Sequence, residues 1–123
     1  EALKNLKLLS MMTNKISDIS PLKDMAELTD LNLSDNKISD ISALGGLSNL
    51  TNLDLGANNI SNINVLAGLS KLERLHLSGN PIKDISVLKG LSNLKNVSLH
   101  STSISDSAIE ELKKALPETD ISY

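Results

Sequence analysis

Leucine and isoleucine recur along the chain in an order that repeats every 22 residues. The stretch "LTDLNLSDN" at 28–36 returns as "LTNLDLGAN" at 50–58 and as "LERLHLSGN" at 72–80. In each copy two leucines flank one polar residue, which is the alternation expected of a short strand with one buried face. The pattern predicts one strand per repeat, with the strands laid side by side in parallel.

After each strand the hydrophobic spacing changes from two residues to three. Ile38, Ile41, Leu44 and Leu47 follow one another at every third position. Side chains at this spacing share one face of a helix with three residues per turn, so the return segment is predicted to be 3₁₀-like and not α-helical. One repeat alone buries too little apolar surface to offset its ordering entropy, so the repeats must stack. The predicted fold class is α/β, a short, curved, right-handed superhelix with a parallel sheet on its concave face.

One polar position also recurs every 22 residues and holds Asn in the first four repeats and Thr102 in the fifth. These asparagines share the position just after the strand: Asn14, Asn36, Asn58 and Asn80. Where the chain turns, backbone groups lose their ladder partners, and an amide side chain can both donate and accept hydrogen bonds. We predict a structural ladder in which each Asn bridges its own turn and the adjacent repeat.

The N-terminal end of the array is predicted to be open. Leu3, Leu6 and Met11 would face an uncovered edge, and solenoid ends normally need a polar cap. The chain is therefore expected to be a fragment of a longer protein, or to be covered at this end by a partner or by self-association.

The C-terminal end is predicted to carry its own cap. "SAIE" at 107–110 fits a capping box that starts at Ser107, and Ile109, Leu112, Ala115 and Leu116 are spaced for one face of an α-helix. We predict about five repeats in residues 1–105, the first of them truncated, and a capping helix with a short sixth strand in residues 106–123. Extending the 22-residue period places Thr119 beside Val97.

The form L-x-x-L-x-L-x-x-N-x-I-x-D-I-x-x-L-x-x-L, present in "LTDLNLSDNKISDISALGGLSN" at 28–49, resembles the 22-residue leucine-rich repeat of bacterial internalins. The resemblance covers residues 1 to about 105 and includes "NKISDISPL" at 14–22, while the eukaryotic phosphatase-regulator repeat has nearly the same skeleton. It implies a leucine-rich-repeat fold and a non-catalytic module that binds a protein partner. It also implies a larger bacterial protein that is secreted or displayed on the cell surface, and a cytoplasmic location stays open.

Side chains that alternate with the buried leucines point outward onto the concave face. Leu8 and Met12 occupy such positions in the first repeat. The predicted protein-binding residues share the same orientation in the later repeats: Asp30, Asn32, Ser34, Asn52, Asp54, Arg74, His76, Asn96, Ser98 and His100.

Two other chemistries compete with protein binding as interpretations of the polar columns. Asp54, His76 and Ser98 occupy equivalent places on three successive strands, as an acid, an imidazole and a hydroxyl of a catalytic triad would. The open face offers no oxyanion hole because the strand N–H groups pair in the ladder, so the chain is predicted not to be an enzyme.

A column of aspartates on the return segments suggests a calcium ladder. Asn62 interrupts this column, and we therefore prefer the interpretation that each Asp accepts hydrogen bonds from backbone N–H groups of a tight turn. The acidic members of the column are Asp18, Asp40, Asp84 and Asp106.

Charge and composition exclude several partners. The net charge is -3, with 12 basic and 15 acidic residues spread along the chain, which gives no footprint for nucleic acid. No apolar run approaches the roughly 20 residues of a membrane span. The sequence contains no Cys and predicts no cofactor and no metal site. A structural spacer or self-associating segment remains the alternative to a recognition module.

Overall fold

Six parallel strands form the sheet of the solenoid. The computed structural model describes the backbone of residues 2–123 and the side chains from residue 4 onward. Within these residues the strands are β1 (Leu8–Ser10), β2 (Asp30–Asn32), β3 (Asn52–Asp54), β4 (Arg74–His76), β5 (Asn96–Ser98) and β6 (Asp120–Ser122). They lie in sequence order, with Leu31 opposite Leu53 and Leu53 opposite Leu75. The predicted parallel solenoid is confirmed.

The return segments are 3₁₀ helices, as the three-residue spacing predicted. They span Ala2–Asn5, Ser20–Asp24, Ser42–Gly46, Asn64–Gly68 and Ser86–Gly90. In the third of these the N–H of Leu47 donates to the carbonyl of Leu44 at 3.0 Å, which is the three-residue hydrogen bond of this helix type. Each helix after the first turns one leucine into the core, for example Leu44 and Leu66.

The aliphatic columns stack into one continuous core. Leu28, Leu50 and Leu72 are fully buried, because each lies between the equivalent residues of the neighbouring repeats. At the β1 end Leu6 and Met11 are only partly buried, and Leu3 lies outside the residues whose side chains are described. Burial of the columns therefore depends on stacking, as expected of a solenoid.

An α-helix, α1 (Asp106–Ala115), covers the last repeat and buries Ile109 and Leu112. Leu116, just after the helix, is also buried, whereas Ala115 of the predicted apolar face is exposed. Its N-cap is Ser105 and not Ser107, so the predicted start of the capping box was wrong by two residues. Ser105 has extended backbone angles and its hydroxyl accepts a hydrogen bond from the N–H of Ala108 at 3.2 Å. Ser107 already lies inside the helix, where its hydroxyl can bond only to that of Ser105.

The sixth strand exists, but its register differs from the prediction. β6 places Ile121 opposite Val97, a separation of 24 residues, where the 22-residue period predicted Thr119. An α-helix rises about 1.5 Å per residue and a 3₁₀ helix about 2.0 Å, so an α-helical return needs more residues to span the same distance. The two extra residues follow from the change of helix type.

Among the described residues no helix combines the length and the hydrophobicity that crossing a membrane requires.

Candidate functional site

The outward side chains of the strands form regular columns on the concave face. One column runs from Leu8 through Asp30, Asn52 and Arg74 to Asn96. A second runs through Ser10, Asn32, Asp54, His76 and Ser98, and neighbouring members belong to strands about 4.8 Å apart. The face is therefore a grid in which each side chain has a neighbour on the next strand.

Hydrogen bonds connect three members of the first column. Asn52 donates its amide to the carboxylate of Asp30 at 2.6 Å, and Arg74 donates to the amide oxygen of Asn52 at 3.5 Å. Asp30 also accepts from the hydroxyl of Thr29 at 2.8 Å. These contacts hold the Asp30 carboxylate in place, while Arg74 at the other end stays exposed with its long contact.

Ser34 differs from the other predicted binding residues because it is buried. Its hydroxyl donates to the side-chain oxygen of Asn32 at 2.8 Å, and its backbone N–H donates to the same oxygen at 3.0 Å. Ser34 therefore orients Asn32 and is not itself presented to a partner. His100, at the equivalent position of the fifth repeat, is exposed, and its backbone N–H donates to the hydroxyl of Ser78 at 3.0 Å.

Asp54, His76 and Ser98 are neighbours in the sheet but do not form a hydrogen-bonded triad. The register places Asp54 opposite His76 and His76 opposite Ser98. Asp54 accepts from the backbone N–H of Gly56 at 3.0 Å, and Ser98 pairs with Ser122 at 3.3 Å. Within residues 4–123 the His76 ring has no hydrogen-bond partner, so the three side chains lie side by side without the acid–imidazole–hydroxyl contacts of a triad.

The face includes residues beyond the predicted set. Ser10 precedes Asn32 by one period and is exposed on β1, and Thr29, the residue before β2, donates its hydroxyl to Asp30. Asp120 and Ser122 extend the two columns on β6 beside Asn96 and Ser98. The 22-residue period could have identified Ser10 as a residue of the concave face. It could not have identified the neighbours of Asp120 and Ser122, because β6 follows β5 with a spacing of 24 residues.

The asparagine column is hydrogen-bonded in the manner of a ladder. Asn36 donates to the carbonyl of Leu33 in its own turn and to that of Met11 in the preceding repeat, both at 3.0 Å. Its side-chain oxygen accepts from the N–H of Ile16 at 3.0 Å. Asn58 and Asn80 repeat this arrangement, and all three are buried.

The end members of this column make fewer bonds. Asn14 is exposed and donates to the carbonyls of Met11 and Met12, at 2.9 and 3.1 Å. Thr102 can donate only one hydrogen bond, to Leu99 at 2.8 Å.

The aspartates of the return segments stabilise tight turns. Asp40 accepts from the backbone N–H of Ser42 at 2.9 Å, and Asp18 and Asp84 do the same for the residue two positions on. This backbone hydrogen bond, followed by one from the Ser42 hydroxyl, lowers the pKa of the Asp40 carboxyl below its ordinary value. Asn62 makes the equivalent contact at 2.9 Å, so the position needs an acceptor and not a charge.

No cluster of three or more His, Cys, Asp or Glu residues in the described part of the chain is arranged to hold a metal ion.

An open cleft of about 300 Å³ lies on the concave face. Leu8 and Asp30 line it at one end, and Asp54, Arg74 and His76 line it at the other. The cleft thus crosses β1 to β4 and brings the apolar Leu8 together with acidic and basic residues of the predicted set.

Comparison with known proteins agrees with this architecture. A family described as "Leucine Rich repeats (2 copies)" matches residues 26–68 and 70–114. The chain belongs to the leucine-rich repeat family, whose fold is generally a protein–protein interaction module. No curated protein sequence matches the chain.

Solved structures place its repeats with the internalin type. The chain is similar to the internalin inlF of Listeria monocytogenes, with 37% identity and a TM-score of 0.90 over 97% of this chain and 35% of that one. A leucine-rich repeat protein of Leptospira interrogans gives 32% identity and a TM-score of 0.90 over 98% and 32% of the two chains. Internalin C2 of L. monocytogenes gives 37% identity and a TM-score of 0.83 over 98% and 53%. The repeats are internalin-like, and the chain spans between a third and about half of the length of these proteins.

Proposed function

We propose that the chain is a non-catalytic recognition module that binds a protein partner through its concave face. It acts as part of a larger bacterial protein that is secreted or displayed on the cell surface. The internalin-like repeats support the proposal, because the leucine-rich repeat fold is generally an interaction module.

One observation carries the assignment of the concave face. Arg74 and His76 are exposed side by side on β4, and neither forms a salt bridge within residues 4–123. A side chain that the fold does not use for its own stability is free to bind a partner, and arginine is enriched among residues that dominate binding energy. Asp54, opposite His76, completes this anchor group.

Paired variants test the proposal. The purified, immobilised chain is used to capture proteins from cell-surface extracts, and a captured protein is then purified and its affinity measured. Arg74→Ala with His76→Ala is expected to weaken binding about tenfold or more. Lys83→Ala, which removes one exposed cation outside the strands, is the matched control and is expected to bind as the unmodified chain does. Unchanged affinity in the concave variant, with loss in the Lys83 variant, would reject the concave face as the binding surface.

A second role, end-to-end self-association, is favoured by a cleft of about 380 Å³ at the β1 end. Leu6, Leu9, Met11 and Met25 line it, and its surface is mainly apolar. Light scattering should show dimers or larger species that disappear when a helical cap is fused ahead of β1. A monomer at all concentrations, with or without the cap, would exclude this role.

A further inference from the structure

The concave face is apolar at its β1 end. Leu8 is 66% exposed and Met12 is 47% exposed, and with Tyr123 they are the exposed large hydrophobic residues of the described chain. The amide nitrogen of Asn32 on β2 lies 3.7 Å from the sulfur of Met12, so the apolar end directly borders the polar part of the face. Exposed hydrophobic side chains at the rim of a cleft mark a contact surface when polar residues surround them.

The next two strands carry negative charge that the chain itself does not neutralise. Asp30 and Asp54 are partly buried on β2 and β3, and their partners are hydroxyl, amide and backbone N–H groups. The salt bridges of residues 4–123 are Lys89–Glu111, Lys95–Glu73 and Lys113–Glu110, none of which involves either aspartate. One oxygen of Asp54, Oδ2, accepts no hydrogen bond from the described residues. The two carboxylates therefore favour a cation from outside.

Positive charge follows on β4. Arg74 is exposed, and its hydrogen bond to Asn52 at 3.5 Å uses one of five N–H donors. The character of the outward side chains along the cleft therefore changes in a fixed order: apolar at β1, acidic at β2 and β3, and basic at β4. Three strand spacings of about 4.8 Å separate the ends, a distance of roughly 14 Å.

We propose that the cleft binds an extended segment of the partner that carries an apolar, a basic and an acidic side chain at alternate positions. This proposal rests on the proposed function and specifies its ligand. Alternate side chains of an extended chain lie about 6.7 Å apart, so three of them span roughly 13 Å and match the distance from β1 to β4. The apolar group packs on Leu8 and Met12, the cation pairs with Asp30 and Asp54, and the acid pairs with Arg74.

Two peptides of identical composition test the order of the groups. The matched peptide is acetyl-Gly-Leu-Ser-Lys-Ser-Glu-Gly-amide, and the control exchanges its lysine and glutamate. Titration of the ¹⁵N-labelled chain to about 10 mM peptide at low salt detects weak binding and locates it on the strands. The matched peptide is expected to shift the amides of β1 to β4 and to bind about fivefold or more tightly than the control.

Variants then identify the charges responsible. Asp30→Asn with Asp54→Asn removes both negative charges, keeps one acceptor oxygen at each position and should abolish the preference. Asp40→Asn on a return segment should leave the preference unchanged. Equal affinity for the two peptides, preference for the control, a preference that survives the double variant, or no shifts in β1 to β4 would each overturn the proposal. The partner-capture experiment with Arg74 and His76 judges the proposed function separately, so the concave face can bind a partner even where this order of groups fails.

Discussion

The side-chain oxygen of Asn58 accepts a hydrogen bond at 3.0 Å from the backbone N–H of Ile38, which lies 20 residues earlier in the chain. The same amide donates to the carbonyl of Leu33 in the earlier repeat and to that of Leu55 in its own, both at 3.0 Å. One buried side chain thus satisfies backbone groups of two repeats, and no buried side-chain nitrogen or oxygen in the described chain lacks a partner. The same side chain therefore stabilises both the turn of its own repeat and the stacking of that repeat on the preceding one.

Replacing Asn58 by Ala should destabilise the chain by about 1–3 kcal/mol, because it leaves buried backbone groups without partners. Asn14→Ala is the matched control, because Asn14 is exposed and bonds only to its own turn. Its cost should stay below about 1 kcal/mol. Urea denaturation followed by circular dichroism measures both values. Equal costs at the two positions would show that the bonds to the neighbouring repeat add nothing.

The repeating part of the fold was predictable because one local pattern is copied along the chain. The spacing of Ile38, Ile41 and Leu44 predicted the 3₁₀ return, and the alternation around Leu53 predicted the buried face of the strand. Each repeat meets neighbours of nearly the same sequence, so a correct assignment in one repeat transfers to the next. The members of the predicted core columns in the inner repeats are buried for this reason, and those at the β1 end are partly buried.

The sequence-based prediction failed after the last regular repeat, at α1 and β6. Ser107 matched the capping-box pattern, but Ser105 is the extended N-cap residue, and the helix begins at Asp106. The position of Ile121 opposite Val97 depends on the length of that helix, which the 22-residue period does not contain. On the concave face the columns were predictable from the period, but the burial of Ser34 and the contact of Asp54 with Gly56 follow from side-chain conformations that spacing cannot determine.

The two candidate caps of α1 can be separated by mutation. Ser105→Ala removes the acceptor for the N–H of Ala108 and should destabilise the chain by about 1 kcal/mol. Ser107→Ala is expected to cost less than about 0.5 kcal/mol, since Ala is favoured inside a helix and this hydroxyl caps no backbone group. Thermal unfolding of the two variants decides between the positions. A larger loss at Ser107 would restore the capping box predicted from the sequence.

A third stability test concerns the turn that follows each strand. Gly79 has φ +75°, and an added Cβ would lie 3.2 Å from the Cα and N atoms of Ala57 in the preceding repeat. Gly79→Ala should therefore cost about 1–2 kcal/mol through backbone strain and close contact.

Ala57 has φ 55° at the equivalent position, so Ala57→Gly is the complementary change. It should be neutral or stabilising by up to about 1 kcal/mol, because relief of strain offsets the greater freedom of glycine in the unfolded chain. Chemical denaturation checks the opposite signs. Destabilisation by both substitutions would mean that the left-handed turn is not the controlling feature.

The aspartates of the return segments should make stability depend on acid. The backbone N–H of the serine two residues on, and then its hydroxyl, lower the pKa of Asp18, Asp40 and Asp84 in the folded chain. A group with a lower pKa in the folded state contributes stability above its unfolded pKa of about 3.9 and loses it as the pH falls through the folded value. Unfolding midpoints of the unmodified chain should therefore decrease below about pH 4.

Replacing all three residues by Asn keeps the acceptor, as Asn62 demonstrates, and removes the titration. The variant should show a flatter dependence of unfolding midpoint on pH below about pH 4. Asp24→Asn with Glu27→Gln and Glu118→Gln removes the same number of charges from exposed carboxyls that accept no hydrogen bond in the described residues. If this control flattens the dependence as much, net charge and not the turn hydrogen bonds governs acid stability, because the two variants differ only in whether the lost carboxylates were bonded to backbone N–H groups.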